Sequence, residues 1–223
     1  MFVRVNIKFE DFKINRIVKY FILSDLFFLG GWGFVDPIFS IFIVENIEGA
    51  TLVTVGAVAA VYLGTKSLAQ IPIAFLLDRL DGEKDDFYIL VISLMMSGVV
   101  LFAFTAVQTI PMLFLVVFLK GLAFALYTPS WSAIFSRHLD YKRYAFDWTL
   151  DSTTIGLAAG LASFVGGAIA SAFGFEMVFI FGSVLSFVSV AVLLLAPDLV
   201  LPRGTTRRLF FKDHTLKDPE KIA

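Results

Sequence analysis

Residues 74–84, which read AFLLDRLDGEK, decide how this chain is organised. They join two apolar runs, each long enough to cross a bilayer, through a cluster of charged side chains headed by Asp78 and Arg79. A charged cluster between two such runs predicts a tight loop at a membrane surface. The chain is therefore predicted to be an integral membrane protein.

The composition indicates that lipid is the solvent. Of the 223 residues, 58% are hydrophobic and 17% are charged, and the mean hydropathy is +0.85. The core of one soluble domain of this length does not hide so much apolar surface. The chain has no Cys, which excludes disulfides and thiolate metal sites.

No chemistry-bearing motif points to an enzyme. His138 and His214 lie outside the apolar runs, which argues against an intramembrane serine protease. The sequence has no metal-ligand cluster and no glycine-rich phosphate loop, so we expect neither a metal nor a cofactor. The basic stretch 203–212 fits topology and anionic lipid better than nucleic acid, and no nucleic acid partner is expected.

Hydropathy divides the chain into three parts. Residues 1–19 are predicted to lie on the membrane interface, with Asn15 capping the first helix. Residues 20–196 are predicted to form a transmembrane domain of six helices, and residues 197–223 a cytoplasmic tail. The six predicted helices are 20–44, 51–77, 87–108, 111–135, 152–173 and 176–195.

The basic residues predict the orientation of these helices. Of the 18 Lys and Arg, all except Lys66 and Lys120 fall in the N-terminal segment, in the loops after predicted helices 2 and 4, or in the tail. A trace with six helices places all these segments on one side of the membrane, and basic loops stay in the cytoplasm. Both termini are therefore predicted to be cytoplasmic, in a cytoplasmic or inner membrane.

A short motif recurs in the two halves of the helical domain. Residues 33–37 read GFVDP and residues 125–129 read ALYTP, so a polar residue precedes Pro in the first helix of each three-helix unit. An odd number of helices per unit inverts the second unit relative to the first. This pattern predicts a 3+3 inverted repeat, as in transporter folds.

Several motifs resemble those of the major facilitator superfamily of transporters. Residues 74–84 resemble its loop between helices 2 and 3, with a small residue before an Asp–Arg pair and then a Gly and a base. Further matches are Lys120–Gly121, Pro129, Gly166–Gly167 and Gly174–Phe175. The chain departs from the family pattern by having Ala74 in place of a Gly and one extra residue before Gly82.

The resemblance implies an all-α membrane protein equivalent to one half of a major facilitator fold. As the resemblance implies, members of that family have twelve helices in two six-helix halves. The two halves have the same orientation in the membrane, and the solute binds between them. We expect a secondary active transporter of a small solute that works by alternating access, with proton coupling left open. A homodimer in the lipid bilayer, with its two-fold axis along the membrane normal, reproduces the two halves.

Two alternatives remain open at this stage. The chain is either a half-transporter that requires a different partner half, or a transport-inactive membrane scaffold or assembly subunit. Measurement of the native mass and of solute uptake separates these alternatives from the homodimer.

Four ionisable residues lie within the predicted spans, namely Asp25, Asp36, Lys66 and Lys120. Because such residues are costly in lipid, they tend to mark solute or proton paths. Counting along the helices pairs Asp36 with Lys120 near the midplane, and Asp25 with Lys66 nearer the cytoplasm. The expected solute and proton pathway comprises these four residues with Trp32, Tyr127 and Trp131, which share their helix faces.

Two further sets of residues have expected roles. By resemblance, Asp78 and Arg79 form a conformational latch, in which Arg79 reaches Asp140 or Asp147. Small residues in predicted helix 5 are expected to pack closely against other helices. These residues are Gly156, Gly160, Gly166 and Gly167.

Overall fold

A computed structural model of the protein describes residues 15–79 and 83–195. Within these ranges six helices are long and apolar enough to cross a membrane. Most of the predicted interfacial segment and the predicted tail lie outside the described residues. The helices are α1 Arg16–Val35, α2 Phe39–Asn46, α3 Leu52–Arg79, α4 Glu83–Ala103, α5 Ile110–His138, α6 Tyr144–Phe173 and α7 Phe175–Leu194.

The first membrane span is broken, whereas the sequence predicts one continuous helix over 20–44. Helix α1 ends at Val35 and α2 begins at Phe39, with Pro37 between them. Proline has no N–H to donate and its ring clashes with the carbonyl four residues earlier, which is that of Gly33. Ser163 Oγ lies 3.1 Å from Gly33 O and 2.7 Å from the oxygen of Ala159 on its own helix, so its hydroxyl proton is shared. A neighbouring helix thus compensates the freed carbonyl, as membrane interiors require.

Helix α6 begins at Tyr144, eight residues before the predicted start at 152. The polar segment 144–151 is helical because it carries Asp147 in the first turn, where an acid is favourable to the helix dipole. The Asp147 carboxylate also accepts a hydrogen bond from Asp140 N at 2.9 Å. As a consequence, Trp148 and Asp151 belong to a membrane helix and not to a loop.

The other helix boundaries lie within about four residues of the predicted ones. The predicted cap is confirmed, since Asn15 Oδ1 accepts a hydrogen bond from Ile17 N at 3.1 Å. A short 3-10 helix, Phe104–Ala106, extends the span that begins with α4. Hydropathy therefore locates the spans well and fails only where Pro37 or a polar first turn intervenes.

The helices pack in an arc. Helix α5 packs against α3 and α4, helix α1 packs against α6 and α7, and α4 packs against α7. If each of the first three spans is exchanged with the corresponding one of the last three, these same pairs of spans remain in contact. A 3+3 repeat requires this symmetry. The recurrent motif is less symmetric, because Pro37 breaks its span whereas Pro129 lies inside the continuous α5.

Small and hydroxyl residues hold the centre of the arc together. Ser24 Oγ on α1 and Ser189 Oγ on α7 are 2.8 Å apart, and Ser183 Oγ donates to Gly98 O of α4 at 2.9 Å. Such residues let membrane helices approach closely and hydrogen-bond across the interface. Helices α1, α4 and α7 therefore form the packed back of the bundle.

Helices α3 and α6 form the two ends of the arc. Only 6% of the most apolar window of α3 and 11% of that of α6 are buried, against 50% for α1 and α5. An opening lies between α3 and α6, with α1 and α5 behind it. This opening positions the candidate site.

Candidate solute-binding site

A cavity of about 580 Å³ lies in the opening between α3 and α6. Its walls come from α1, α2, α3, α5 and α6, and most of its lining is apolar. The polar groups on these walls come from Asp36, Ser40, Tyr62, Lys120 and Ser163. A largely apolar concave site with a few polar groups is typical of sites for small molecules.

Asp36 and Lys120 form the predicted ion pair in this cavity. Lys120 Nζ donates to Asp36 Oδ1 at 3.1 Å. The two partners differ in burial, since the side chain of Lys120 is 9% exposed and that of Asp36 is 59% exposed. The break after α1 places Asp36 at the cavity surface, where its carboxylate is open to a solute.

Aromatic rings surround the ammonium group of Lys120. Its Nζ lies 3.9 Å from the ring centre of Trp32 and 4.9 Å from that of Tyr62. The indole is fixed in place because Trp32 Nε1 donates to Ser97 Oγ at 2.9 Å. Cation–π attraction therefore contributes to holding the ammonium group of Lys120 in this position.

Sequence reasoning found Trp32 but missed Tyr62. The signal for Tyr62 is the spacing of the cavity-lining residues along α3, where Val55, Val58 and Tyr62 recur every three or four positions. That face of α3 looks like an ordinary apolar stripe in the sequence. Only the packing of α3 on α5 shows that it faces a cavity.

A second cavity of about 420 Å³ lies further along α1. It is lined by Asp25, Tyr127 and Trp131, which were predicted, and by Trp148 and Asp151, which were not. The signal for the last two residues is their helical spacing with Ile155, which continues the α6 periodicity into the segment predicted to be a loop.

The predicted pair between Asp25 and Lys66 is wrong. Asp25 is 2% exposed and accepts a hydrogen bond from Tyr127 Oη at 2.5 Å. Lys66 Nζ instead lies 5.7 Å from the ring centre of Phe124. The physical reason is that both side chains meet α5 and not each other, since Lys66 on α3 reaches Phe124 and Asp25 on α1 reaches Tyr127.

The two cavities follow each other along the bundle. Leu29 and Ile155 line both of them. Asp25 and Asp36 are eleven residues apart, which corresponds to about 16 Å of helix rise. Acidic and aromatic side chains thus line both cavities.

The predicted latch contact of Arg79 is not formed. Its guanidinium lies 4.1 Å from the ring centre of Phe75, and Asp78 is exposed. Asp147 is fully buried and bonds to the backbone of Asp140.

At that end of the bundle, Arg137 pairs with the buried Asp86 and so joins α5 to α4. The sequence signal for this pair was the acidic start of α4. Asp85 and Asp86 stand there at positions where basic residues are usual in the family that the motif resembles. That signal does not identify the partner, because Arg137 is 51 residues away in the chain.

The four predicted packing glycines behave differently from one another. A Cβ atom on Gly166 would lie 2.4 Å from Phe34 O, so α6 touches α1 there. Gly156, Gly160 and Gly167 have open space where a Cβ atom would lie. For these three, the predicted close packing is not formed within the described part of the chain, and only Gly166 shows it.

The cavities present charge and aromatic surface, which suit reversible binding of a small solute. Among residues 15–79 and 83–195, no three His, Asp or Glu side chains are grouped as metal ligands. The acidic and basic groups nearest to one another are on different helices. A relative movement of these helices therefore changes the environment of each charge.

Comparison with known proteins agrees with this architecture. The family model of the Major Facilitator Superfamily matches residues 21–216. No curated protein matches the chain significantly. The fold is similar to that of the POT family transporter PepTSo, solved as an in meso crystal structure, with a TM-score of 0.66 and 18% sequence identity. The similarity covers 85% of this chain and 39% of that transporter, so the chain spans about two fifths of its length.

Proposed function

This chain belongs to the major facilitator superfamily, and on that basis we propose that it is a secondary active transporter that moves a small solute by alternating access. It is an integral multi-pass membrane protein, and its family consists of transporters rather than enzymes. Its six spans fit one half of a major facilitator fold.

The observation that carries the proposal is the ion pair of Asp36 with Lys120 in a cavity between membrane helices. Charged groups inside a membrane are costly and mark solute or ion paths. A pair that only joins two helices does not need to be accessible, yet the side chain of Asp36 is 59% exposed. That exposure supports a role in binding.

The same exposure supports a homodimer. Asp36 faces the opening between α3 and α6, where a single copy would present a charge to hydrocarbon at a cost of roughly several kcal/mol. A second copy that places its own opening opposite converts the two openings into one shared cleft. Helices α3 and α6 also carry glycines with open space at the Cβ position, which permit close approach of another helix. These are Gly56 and Gly64 on α3 and Gly156 and Gly160 on α6.

The orientation and the moving parts follow from the same arrangement. We propose that both termini are cytoplasmic, because the basic residues favour that side. Asp78 and Arg79 are proposed to act as a latch at that surface when the second copy is present. Proton coupling is proposed to use Asp36, whose carboxylate meets both the cavity and Lys120.

Solute uptake into vesicles that contain only this chain tests the transport function. We expect uptake of at least one member of a panel of zwitterions, amines and sugars, and a native mass in nanodiscs of twice the subunit mass. A pH-sensitive dye inside the vesicles reports proton movement. If solute uptake persists and Asp36→Asn leaves the proton movement unchanged, proton coupling through Asp36 is contradicted. Absence of solute uptake by a folded dimer favours the scaffold alternative.

Cysteine cross-linking tests the homodimer, since the chain has no native Cys. We expect Gly160→Cys on the outer side of α6 to form a disulfide-linked dimer in membranes. Val99→Cys is the matched control, because Val99 is 58% exposed but lies on α4 at the back of the arc. Equal cross-linking at both positions, or none at Gly160, contradicts the proposed interface and favours a different partner half.

A further inference from the structure

We propose that the cavity lined by Asp25 and Asp151 is a binding site for a protonated organic amine. This proposal deepens the transport function proposed above, because it assigns a chemical class of solute to one part of the path. It rests on the geometry of this cavity and not on the Asp36–Lys120 pair.

Asp151 on α6 lies at the wall of this cavity. Its side chain lines the cavity and is 4% exposed, and its Oδ1 atom has no hydrogen-bond partner among the described residues. A buried carboxylate oxygen without a donor costs free energy that a ligand with N–H groups recovers. The cavity therefore offers an unsatisfied acceptor.

The lining of the cavity is acidic. Asp25 lines the same cavity, is 2% exposed and has Tyr127 Oη as a donor at 2.5 Å. Among the described residues that line this cavity, two are acids and none is Lys or Arg. Two carboxylates in one buried site favour a cationic occupant.

Three aromatic side chains line the walls of the cavity, namely Tyr127, Trp131 and Trp148. Trp131 and Trp148 meet edge to face with ring centres 5.6 Å apart, and Tyr127 lies 6.4 Å from Trp131. Aromatic faces attract ammonium groups and also cover the apolar part of an amine. The volume of about 420 Å³ suits a small organic molecule rather than a bare inorganic ion.

Binding of 2-phenylethylammonium to the purified full chain in detergent, measured by isothermal titration calorimetry, tests the proposal. We expect saturable binding, and at least about tenfold weaker binding by Asp151→Asn, which removes one charge-assisted hydrogen bond. Asp85→Asn is the matched control, since Asp85 is exposed at the start of α4 and should leave the affinity unchanged. The neutral analogue 2-phenylethanol should bind at least about tenfold more weakly than the amine.

Three results overturn the proposal. They are equal binding of amine and alcohol, unchanged affinity in Asp151→Asn, and no saturable amine binding by the folded protein. Should Asp151→Asn fail to fold, Trp148→Leu decides, because Trp148 is 40% exposed and its loss should weaken amine binding several-fold. If the protein binds the amine but takes up no solute, the amine site stands and the proposed transport function is contradicted. If it takes up another solute but does not bind the amine, the transport function stands and the amine site is contradicted.

Discussion

Replacing Asp36 with Asn is expected to lower the free energy of unfolding by about 1–2 kcal/mol. Lys120 is only 8% exposed, and the substitution leaves its ammonium group buried without an anion. Breaking a fully buried pair from one side costs about 3–5 kcal/mol, whereas an exposed pair contributes at most about 1 kcal/mol. This pair lies between the two limits because Asp36 is 59% exposed, and because Trp32 and Tyr62 still stabilise the cation through their rings. Unfolding by SDS titration in mixed micelles measures the change, and we expect vesicle uptake to fall with it.

The double variant Asp36→Asn with Lys120→Met is the matched control. Removing both charges leaves no unpaired ion, so most of the lost stability should return while uptake stays low. Lys120→Met alone should cost less than Asp36→Asn, since Asp36 is 59% exposed and retains contact with the cavity. Equal destabilisation by the two single variants, or no recovery in the double variant, would contradict the asymmetric burial of this pair.

Replacing Gly166 with Ala is expected to destabilise the bundle by about 1–3 kcal/mol, the usual cost of forcing extra volume into a packed contact. The added Cβ would lie 2.4 Å from the oxygen and 2.9 Å from the Cα of Phe34. Because both are backbone atoms at the end of α1, α6 must move away from α1. Thermal unfolding in detergent, followed by intrinsic tryptophan fluorescence, measures the loss.

The neighbouring Gly167 provides the control for this prediction. It lies in the same helix and has open space at its Cβ position, so Gly167→Ala should leave stability unchanged or raise it slightly through helix propensity. The size-exclusion profile of each variant distinguishes local repacking from loss of fold. Similar melting temperatures for the two variants would show that α6 does not approach α1 as described.

Movement of α6 relative to α1 also matters for the site. Ser163, one turn before Gly166, supports the carbonyl of Gly33 next to the break at Pro37. Asp36 lies in that break and holds Lys120. Displacing α6 at Gly166 should therefore disturb the ion pair as well as the packing, and we expect Gly166→Ala to reduce uptake more than Gly167→Ala does.

The sequence by itself determined the membrane class, the six spans and the pairing of Asp36 with Lys120. Transfer of apolar side chains to lipid depends on local composition, so hydropathy locates spans without knowledge of the fold. The pair was predictable because isolated charges are so costly in a bilayer that each must find a partner at its own depth. The motifs at 74–84 and 166–167 resemble those of the major facilitator superfamily and so predicted its fold.

Apart from the pair of Asp36 with Lys120, the tertiary structure alone decided which buried polar groups meet. Asp25 and Lys66 looked like partners in the sequence, but each meets a different residue of α5, Tyr127 for Asp25 and Phe124 for Lys66. The carbonyl of Gly33 that Pro37 frees is likewise satisfied by Ser163, which is over a hundred residues away in the chain. Hydropathy contains no information on such contacts, because the partner of a buried polar group is set by the helix packed against it and not by its own sequence neighbourhood.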